Sequence, residues 1–323
     1  MSSLPTVIVG AGLSGLLLAR ALQARGERVV VLEKSRGFGG RLATKRVGDV
    51  VFDQGAQFFT VREPAFAAEV ETWHQAGWVA DWPGTSHRRL IGQPAMTAVP
   101  KGLAAGLDIR REHKVTAVSR AADGTWTLAL EQASPVVAAR VLLTCPVPQA
   151  LALLDAGPVM LPADVRAALD RLTYHPCLAL LAILSGPSAV PPEGLALSEG
   201  PVRWLADNVK KGVARGVPAA VTIHAAPAFS AAHYAASEAE VAAQLLPAVV
   251  GHLGAPVVST TLHRWKFSEP KVTHPERCIW LDELGLGFAG DAFGGPKVEG
   301  AALSGFALAA AMAGEARPKP DNA

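Results

Sequence analysis

The chain has 323 residues, of which 50% are apolar and only 18% are charged, so it can bury a sizeable core and is not intrinsically disordered. Its formal net charge is +2 and its basic residues are scattered, which argues against a nucleic-acid-binding surface. The 31 glycines and 24 prolines follow no period, which excludes a collagen-like chain. Aromatic residues are sparse at 6%, and only two of them are tyrosines.

Residue spacing argues against several further classes of protein. Cys145, Cys177 and Cys278 are far apart and form no CxxC pair, so we expect reduced thiols rather than disulfides or a zinc site. The histidines include no HExxH pair, so we expect no catalytic metal. The longest apolar stretch, residues 301–313, is too short to cross a bilayer. We therefore expect a cytoplasmic protein that binds neither membrane nor nucleic acid, and no protein partner is indicated.

The N-terminal segment predicts a strand, a helix and a second strand. Residues 6–9 are a β-branched run, typical of a buried strand. Residues 13–25 carry apolar side chains at helical spacing and are followed by Gly26, a common C-terminal cap. Residues 28–32 predict the second strand. A strand, helix and strand within about thirty residues form a βαβ unit, which implies a parallel sheet.

The rest of the chain predicts a less regular order of elements. Between residues 58 and 100 no βαβ rhythm is visible, and we expect Trp73, Trp78 and Trp82 to form a hydrophobic face of the second domain rather than a substrate cage. Further on, the apolar runs predict strands and helices. The predicted strands are residues 108–119, 126–130, 140–144, 177–184, 219–224 and 286–290, and the predicted helices are 237–250 and 301–313.

The run Gly10-Ala11-Gly12-Leu13-Ser14-Gly15 lies between the first strand and the first helix. Gly10 permits a tight turn, Gly12 lets the backbone approach a pyrophosphate, and Gly15 lets the helix pack against the strand. The N–H groups at the helix N-terminus favour the phosphates. Glu33, about twenty residues on, can accept hydrogen bonds from ribose hydroxyls and would repel a 2′-phosphate. These residues predict a bound dinucleotide, FAD or NAD rather than NADP.

Later glycine-rich segments favour FAD over NAD. Residues 35–41 place paired glycines and Arg41 just after Glu33, where the guanidinium can hold a phosphate through two hydrogen bonds. Near the end of the chain, Gly290-Asp291 follows a predicted strand. A carboxylate there can bind the ribityl chain of a flavin, and the next helix N-terminus can face the flavin ring. A domain that binds only NAD needs neither segment.

Together these motifs resemble the FAD-dependent amine oxidase superfamily and, within it, the bacterial renalases. The resemblance covers most of the chain and is strongest at its two ends. It also rests on further segments, namely residues 34–37, 53–57, 59–60, 146–150, 204–206, 263–265 and 298–300. Two segments depart from the pattern, since no Trp follows Gly290-Asp291, and Gln93-Pro94-Ala95-Met96 replaces the usual Lys-Pro-Gly-Met. Both departures concern the substrate more than the cofactor.

The resemblance implies non-covalent FAD, held by residues from both ends of the chain. It assigns the ADP half of FAD to Gly10, Gly12, Gly15, Glu33 and Arg41, and we add Lys34, which is adjacent to Glu33. It places Val115 on the adenine side and Asp291 at the middle of the cofactor. It places the remaining residues near the flavin ring: Gly55, Ala56, Gln57, Val298 and Glu299.

Three residues are candidates for the substrate pocket. The Gln57 amide lies in the glycine-rich stretch and can orient a substrate. His263 and Trp265 follow a predicted strand and either face the flavin or pack between domains. Lys266 and Lys297 are long enough to reach the flavin, but lysines usually lie on solvated surfaces, and Tyr174 is a weaker candidate for the pocket.

We expect an α/β fold with two domains. A discontinuous Rossmann-type FAD-binding domain takes residues 1–60, 101–150 and 276–323, and a smaller α+β substrate domain takes residues 61–100 and 151–275.

The expected function is that of a flavin oxidoreductase using dioxygen. Resemblance to renalases implies that it oxidises misreduced NAD(P)H isomers, dihydro at the 2- or 6-position, to NAD(P)+ with formation of H2O2. The first alternative is an amine oxidase, although two tyrosines leave little from which to build an aromatic cage. The second alternative is an FAD-binding redox-sensing or scaffold module with little turnover. No Ser/His/Asp order indicates hydrolysis.

Overall fold

The structure is a computed structural model that describes residues 4–82, 84 and 87–315. The strands are β1 (Thr6–Val9), β2 (Val29–Glu33), β3 (Thr44–Val47), β4 (Val50–Asp53), β5 (Val79–Asp81), β6 (Leu90–Gly92), β7 (Asp108–Arg111), β8 (Val115–Arg120), β9 (Trp126–Leu130), β10 (Val136–Ala138), β11 (Arg140–Leu143), β12 (Tyr174–Leu184), β13 (Leu195–Ala196), β14 (Val202–Asp207), β15 (Ala219–Ala225), β16 (Val257–Pro270), β17 (Ile279–Leu281) and β18 (Leu286–Phe288).

The α-helices are interspersed among these strands. They are α1 (Leu13–Ala24), α2 (Pro64–Gln75), α3 (Ala98–Ala104), α4 (Val147–Ala156), α5 (Ala163–Asp170), α6 (Pro227–Ala232), α7 (Glu238–Leu253), α8 (Asp291–Gly294) and α9 (Val298–Met312). None of the helices in the described ranges is long and apolar enough to cross a membrane.

The first sheet has the strand order β17-β18-β11-β1-β2-β7, and all its neighbours are parallel except β17 at the edge. Its central strands are apolar on both faces, as a sheet covered on both sides requires. Ile8 belongs to the core on the face covered by α1 and α9, and Val7 belongs to the core on the opposite face, which includes α4. The predicted βαβ unit and α/β fold are confirmed.

The prediction of one continuous strand over residues 108–119 is wrong, because the segment forms two strands. It divides into β7, which joins the first sheet, and β8, which joins an antiparallel sheet of order β10-β9-β8. The break occurs at Glu112, whose φ of 58° lies in the left-handed region that an extended strand cannot adopt. His113 N–H then donates to the Glu33 carbonyl at 2.9 Å, which holds the start of β8 beside the end of β2.

The second sheet is antiparallel, with the order β13-β14-β15-β12-β16. One face packs against α7, through residues such as Leu180 and Leu245. The other face contacts β4, since Leu181 and Phe52 share a small core. Helix α7 begins at the Ser237 cap and ends three residues later than predicted, whereas α9 begins three residues earlier than predicted. The division into two domains stays a prediction.

Candidate flavin site

The turn between β1 and α1 is shaped by its three glycines. Gly10 has a φ of 112°, which favours glycine, and a Cβ atom on Gly15 would lie 2.2 Å from the Gly10 carbonyl oxygen. A Cβ atom on Gly12 meets no heavy atom within 4 Å. Helix α1 has no side-chain cap and no acidic residue in its first turn. The turn therefore presents uncapped backbone N–H groups beside an open space, as an anion site requires.

Glu33 lies at the end of β2 and joins that strand to the glycine turn. Its buried carboxylate accepts hydrogen bonds from Ala11 N–H at 2.9 Å and from Ser35 N–H at 2.8 Å. Each carboxylate oxygen keeps a further lone pair, so the same group can accept a ribose hydroxyl. Val115 is buried at the start of β8, next to this strand end, whereas Lys34 is exposed.

Arg41 and Asp291 form an ion pair with each other. Arg41 Nη2 lies 2.7 Å from Asp291 Oδ1, and Nη1 contacts Oδ2 and donates to the Ser268 carbonyl at 3.1 Å. Burial opposes the charge on Arg41, but the Asp291 carboxylate outweighs it and raises the pKa of the guanidinium. The family resemblance assigns these residues to separate parts of the cofactor, and the structure brings them together. The Tyr174 ring lies 6.0 Å from the guanidinium.

The turn after β4 approaches Arg41 closely. Ala56 N–H donates to the Arg41 carbonyl at 2.9 Å, and a Cβ atom on Gly55 would lie 2.1 Å from that oxygen. Gln57 Nε2 donates to the Asp53 carbonyl at 2.6 Å and to the Gly55 carbonyl at 3.0 Å. Because both contacts need a donor, they fix the orientation of the amide. Gln57 Oε1 is left buried and without a partner in the chain.

His263 and Trp265 lie on β16, on the face of the second sheet that contacts β4. In one row across the sheet, Trp204 pairs with His224, which pairs with Ala179, which pairs with His263. We call Trp204, His224, His263 and Trp265 the polar wall. His224 Nε2 and Trp265 Nε1 both donate to the Gln54 carbonyl, at 3.0 and 3.1 Å. These bonds attach the polar wall to the turn that contains Gly55.

Both histidines of the polar wall are neutral at pH 7. Burial lowers the pKa of His224 to about 4; its bond to the Gln54 carbonyl opposes this shift, and the positive charges of Arg203 and Lys211 add to it. Burial, with a contribution from Lys45, lowers the pKa of His263 to about 4. The polar wall is thus an uncharged set of hydrogen-bonding groups.

Buried polar atoms without a partner concentrate in this region. Within the residues that the structure describes, five buried side-chain polar atoms lack a hydrogen-bond partner. Four of them belong to the polar wall and the adjoining turn: Gln54 Oε1, Gln57 Oε1, Trp204 Nε1 and His263 Nε2. Each such atom costs roughly 1–3 kcal/mol if it stays unpaired. This set, with the open space at Gly12, fits a bound polar group such as a flavin and its substrate.

The start of the last helix, α9, contacts the start of α2. Glu299 Oε1 accepts from Arg62 N–H at 2.7 Å and from Glu63 N–H at 2.9 Å, so it binds the N-terminus of α2. Val298 is half-buried against the first core, and Lys297 is exposed. A flavin beside α9 would thus meet backbone N–H groups of a helix start that has no side-chain cap.

His224, Trp204 and Lys211 belong to the site although no sequence motif marks them as site residues. The alternation of β15 places Thr222 and His224 on one face, but only the folded sheet brings Thr222 to the Asp53 carbonyl and His224 to the Gln54 carbonyl. Lys211 lies in the loop after β14 and pairs with Asp53. No local pattern marks this lysine as buried.

Matches to protein families agree with this geometry. Residues 8–71 match the NAD(P)-binding Rossmann-like domain, and residues 75–313 match the flavin containing amine oxidoreductase family. A segment of 104 residues is 31% identical to coproporphyrinogen III oxidase of Propionibacterium freudenreichii subsp. freudenreichii, and one of 56 residues is 43% identical to protein anon-37Cs of Drosophila melanogaster. These segments cover 32% and 17% of this chain and only 20% and 11% of those relatives.

Solved structures share the fold over nearly the whole chain. The putative protoporphyrinogen oxidase from Exiguobacterium sp. 255-15 has a TM-score of 0.74 at 15% identity, covering 97% of this chain and 99% of its own. Cyclohexylamine oxidase from Brevibacterium oxydans IH-35A has a TM-score of 0.71 at 15% identity, with coverages of 97% and 99%. Wild-type putrescine oxidase bound to putrescine has a TM-score of 0.71 at 15% identity, covering 97% of this chain and 100% of its own. At this identity they show a common fold only. The family match covers well over half of the sequence, and the chain therefore belongs to the flavin-containing amine oxidoreductases, a family of flavin-dependent oxidoreductases.

Proposed function

We propose that the chain binds FAD non-covalently and oxidises misreduced NAD(P)H isomers, dihydro at the 2- or 6-position, to NAD(P)+ with formation of H2O2. The uncapped start of α1 and the open space at Gly12 support the pyrophosphate site. The free lone pairs of Glu33 support a ribose site. FAD, when bound, supplies the hydride acceptor and delivers the electrons to dioxygen.

The choice of substrate rests on the charge around the polar wall. Its two histidines are neutral at pH 7, and the charged groups that lower their pKa values are cations: Lys45, Arg203 and Lys211. Of these cations, Lys211 is neutralised by Asp53 and Arg203 by Glu269, each at 2.7 Å, so the net positive charge comes from Lys45. This environment attracts an anionic dinucleotide and repels a protonated amine.

The chain's part in the reaction is orientation. A nicotinamide carboxamide carries one acceptor group, its carbonyl, and one donor group, its NH2. The unpartnered atoms here are two ring nitrogens, Trp204 Nε1 and His263 Nε2, and the amide oxygens of two glutamines, Gln54 and Gln57. Trp204 Nε1 can donate to the carbonyl, and Gln54 or Gln57 Oε1 can accept from the amide nitrogen. A dihydropyridine is already electron-rich, so no acid or base is required of the polar wall, which needs only to hold the ring and exclude water.

Amine oxidation is the second candidate, and an aromatic group favours it. Phe58, Trp82 and Trp204 lie with ring centroids 5.5 to 6.3 Å apart and form an apolar surface suited to a neutral amine. Arg89, however, lies 4.4 Å from the Phe58 ring centroid. An amine would therefore have to bind in its neutral form.

Anaerobic reduction of the bound flavin tests the proposal. The purified protein is mixed with 2- and 6-dihydro-NAD(P), with ordinary NADH and with a panel of amines, and bleaching of the flavin is followed. We expect bleaching by the 2- and 6-dihydro isomers. Bleaching by amines alone would establish the second candidate instead. A protein without a flavin spectrum that also fails to bind added FAD would refute the cofactor assignment.

A variant pair tests the polar wall in the same assay. His263→Phe removes a hydrogen-bonding ring nitrogen, and we expect the substrate to bind about 2- to 10-fold more weakly, as for one neutral hydrogen bond. His233→Phe is the matched control, since His233 stacks on Phe229 at 4.1 Å, away from the polar wall. Equal effects of the two substitutions would contradict the assigned role of His263.

A further inference from the structure

Lys211 makes an unusual ion pair with Asp53. Both side chains are 0% exposed, and Lys211 Nζ lies 2.7 Å from Asp53 Oδ2. Among the ion pairs of the described residues, this is the one in which both partners are fully buried. A buried pair gains little stability over apolar side chains of similar volume, because desolvation offsets the attraction. Its effect on geometry is therefore of more interest than its stability.

The ammonium group also binds the far end of the turn formed by residues 53–57. Lys211 Nζ donates to the Gln57 carbonyl at 2.8 Å, in addition to Asp53. It thus joins the first and the last residue of the turn 53–57. Burial lowers the pKa of Lys211, and the Asp53 carboxylate opposes that shift.

The remaining polar atoms of Asp53 are held by other groups. Asn208 Oδ1 accepts from Asp53 N–H at 3.0 Å, and Thr222 Oγ1 donates to the Asp53 carbonyl at 3.0 Å. Met96 N–H donates to Asp53 Oδ1 at 3.0 Å. Asn208 Nδ2 in turn donates to Thr222 Oγ1 at 2.9 Å. Every polar atom of Asp53 is therefore held, Oδ1 by Met96 ahead of α3 and the others by the second sheet and the loop after β14.

This network sets where Gly55 and Gln57 lie relative to the polar wall. The turn is bound at Asp53 and Gln57 by Lys211, and at Gln54 by His224 and Trp265. Lys211 itself is fully buried, so it touches neither solvent nor a ligand in an open site. Its contribution is made through the turn.

We propose that Lys211 is a positioning residue that holds the turn 53–57, and with it the free oxygen of Gln57, in register with the flavin and the polar wall. This inference rests on the proposed function in one respect, the placement of a flavin beside Gly55–Gln57. It does not depend on which substrate is oxidised.

The test separates positioning from charge compensation. Lys211→Met leaves the Asp53 carboxylate buried and unpaired, so we expect lower stability together with an altered flavin absorption spectrum and reduction potential. The double variant Asp53→Asn with Lys211→Met removes both charges. We expect it to recover stability, yet to keep the altered spectrum and potential, because the bond from Lys211 Nζ to the Gln57 carbonyl is still missing. The rate of flavin reduction should fall about 10²-fold in both variants, with any substrate that reduces the wild type.

Lys210→Met is the matched control. Lys210 Nζ donates to the Ser188 and Val190 carbonyls at 2.8 and 2.6 Å, outside the turn, so this variant should keep the wild-type spectrum and rate. A double variant with wild-type spectrum, potential and rate would overturn the proposal, since the pair would then only compensate charge. Equal changes in the Lys210 variant would also overturn it. If the wild type bound no flavin, the proposed function would fail first, and visibly so.

Discussion

Gly12→Ala distinguishes a ligand site from a tight turn. Gly12 has φ −77° and ψ 175°, which alanine adopts without strain, and a Cβ atom there meets no heavy atom of the chain within 4 Å. At such a position, alanine stabilises a fold by about 0.4–1 kcal/mol, because it restricts the unfolded chain. A pyrophosphate that approaches the backbone at this point would, however, contact the added methyl group. We therefore expect FAD binding to weaken about 10- to 100-fold, equivalent to about 1.4–2.8 kcal/mol.

Gly15→Ala, unlike Gly12→Ala, should destabilise the flavin-free protein. Its Cβ atom would lie 2.2 Å from the Gly10 carbonyl oxygen and 2.6 Å from Thr144 Oγ1, so the helix has to move. Overpacking of this kind costs roughly 1–3 kcal/mol in the flavin-free protein itself. Gly251→Ala, in α7, is the control that should change neither property for the worse, since a Cβ atom there also meets nothing within 4 Å.

The measurements are the thermal unfolding of flavin-free protein and its calorimetric titration with FAD. We expect a stable Gly12 variant with weak FAD binding, and a destabilised Gly15 variant. A Gly12 variant that binds FAD as tightly as the wild type would refute the placement of the pyrophosphate.

Three further predictions concern buried ionisable groups. Arg41→Met leaves the buried Asp291 carboxylate without its partner, so the free energy of unfolding in urea should fall by roughly 1–3 kcal/mol. This loss is smaller than that for a fully buried pair because Arg41 is partly exposed. An unchanged urea midpoint would contradict the prediction. The folded-state pKa of His224 is about 4, below its ordinary value of 6.5, so the unfolded chain binds more protons between these values. The contribution of His224 to stability should therefore be complete above pH 6.5 and fall by up to about 3 kcal/mol as the pH drops to 4. His224→Gln should make the pH profile shallower, leaving the slope due to His263. Burial raises the pKa of the Cys145 and Cys177 thiols to about 12, so both should resist iodoacetamide at pH 8 until the protein is denatured, as mass spectrometry can show.

Features set by neighbouring residues could be predicted from the sequence. The first strand matches its predicted bounds, and α1 and β2 match theirs to within one residue, because β-branched runs, helical spacing and glycine stops act over a few residues. The break at Glu112 was missed, since a single left-handed residue leaves no mark on the hydrophobic pattern.

The candidate site likewise contains features that could be predicted from the sequence and features that could not. The glycine turn and Glu33 are close in sequence, so their spacing alone indicates a dinucleotide site. The attachment of Gln54 to the polar wall depends on the register of β14, β15 and β16, and the Lys211 to Asp53 pair joins residues that are 158 positions apart. Neither relation can be read from a single sequence, because alternation assigns a side chain to a face but does not say which strand lies opposite.

The strand order of the first sheet also governs when the sheet can form during synthesis. Its central strand β1 is flanked by β2, which follows closely, and by β11, which is made more than a hundred residues later. Strand β11 pairs with β18, and α1 packs against α9, only after those later elements have been made. While the second sheet leaves the ribosome, β11 therefore has an unpaired edge and α1 has an uncovered face. Contacts of such long sequence separation form slowly, and the nucleotide-binding turn gains its final support only when the last helix arrives.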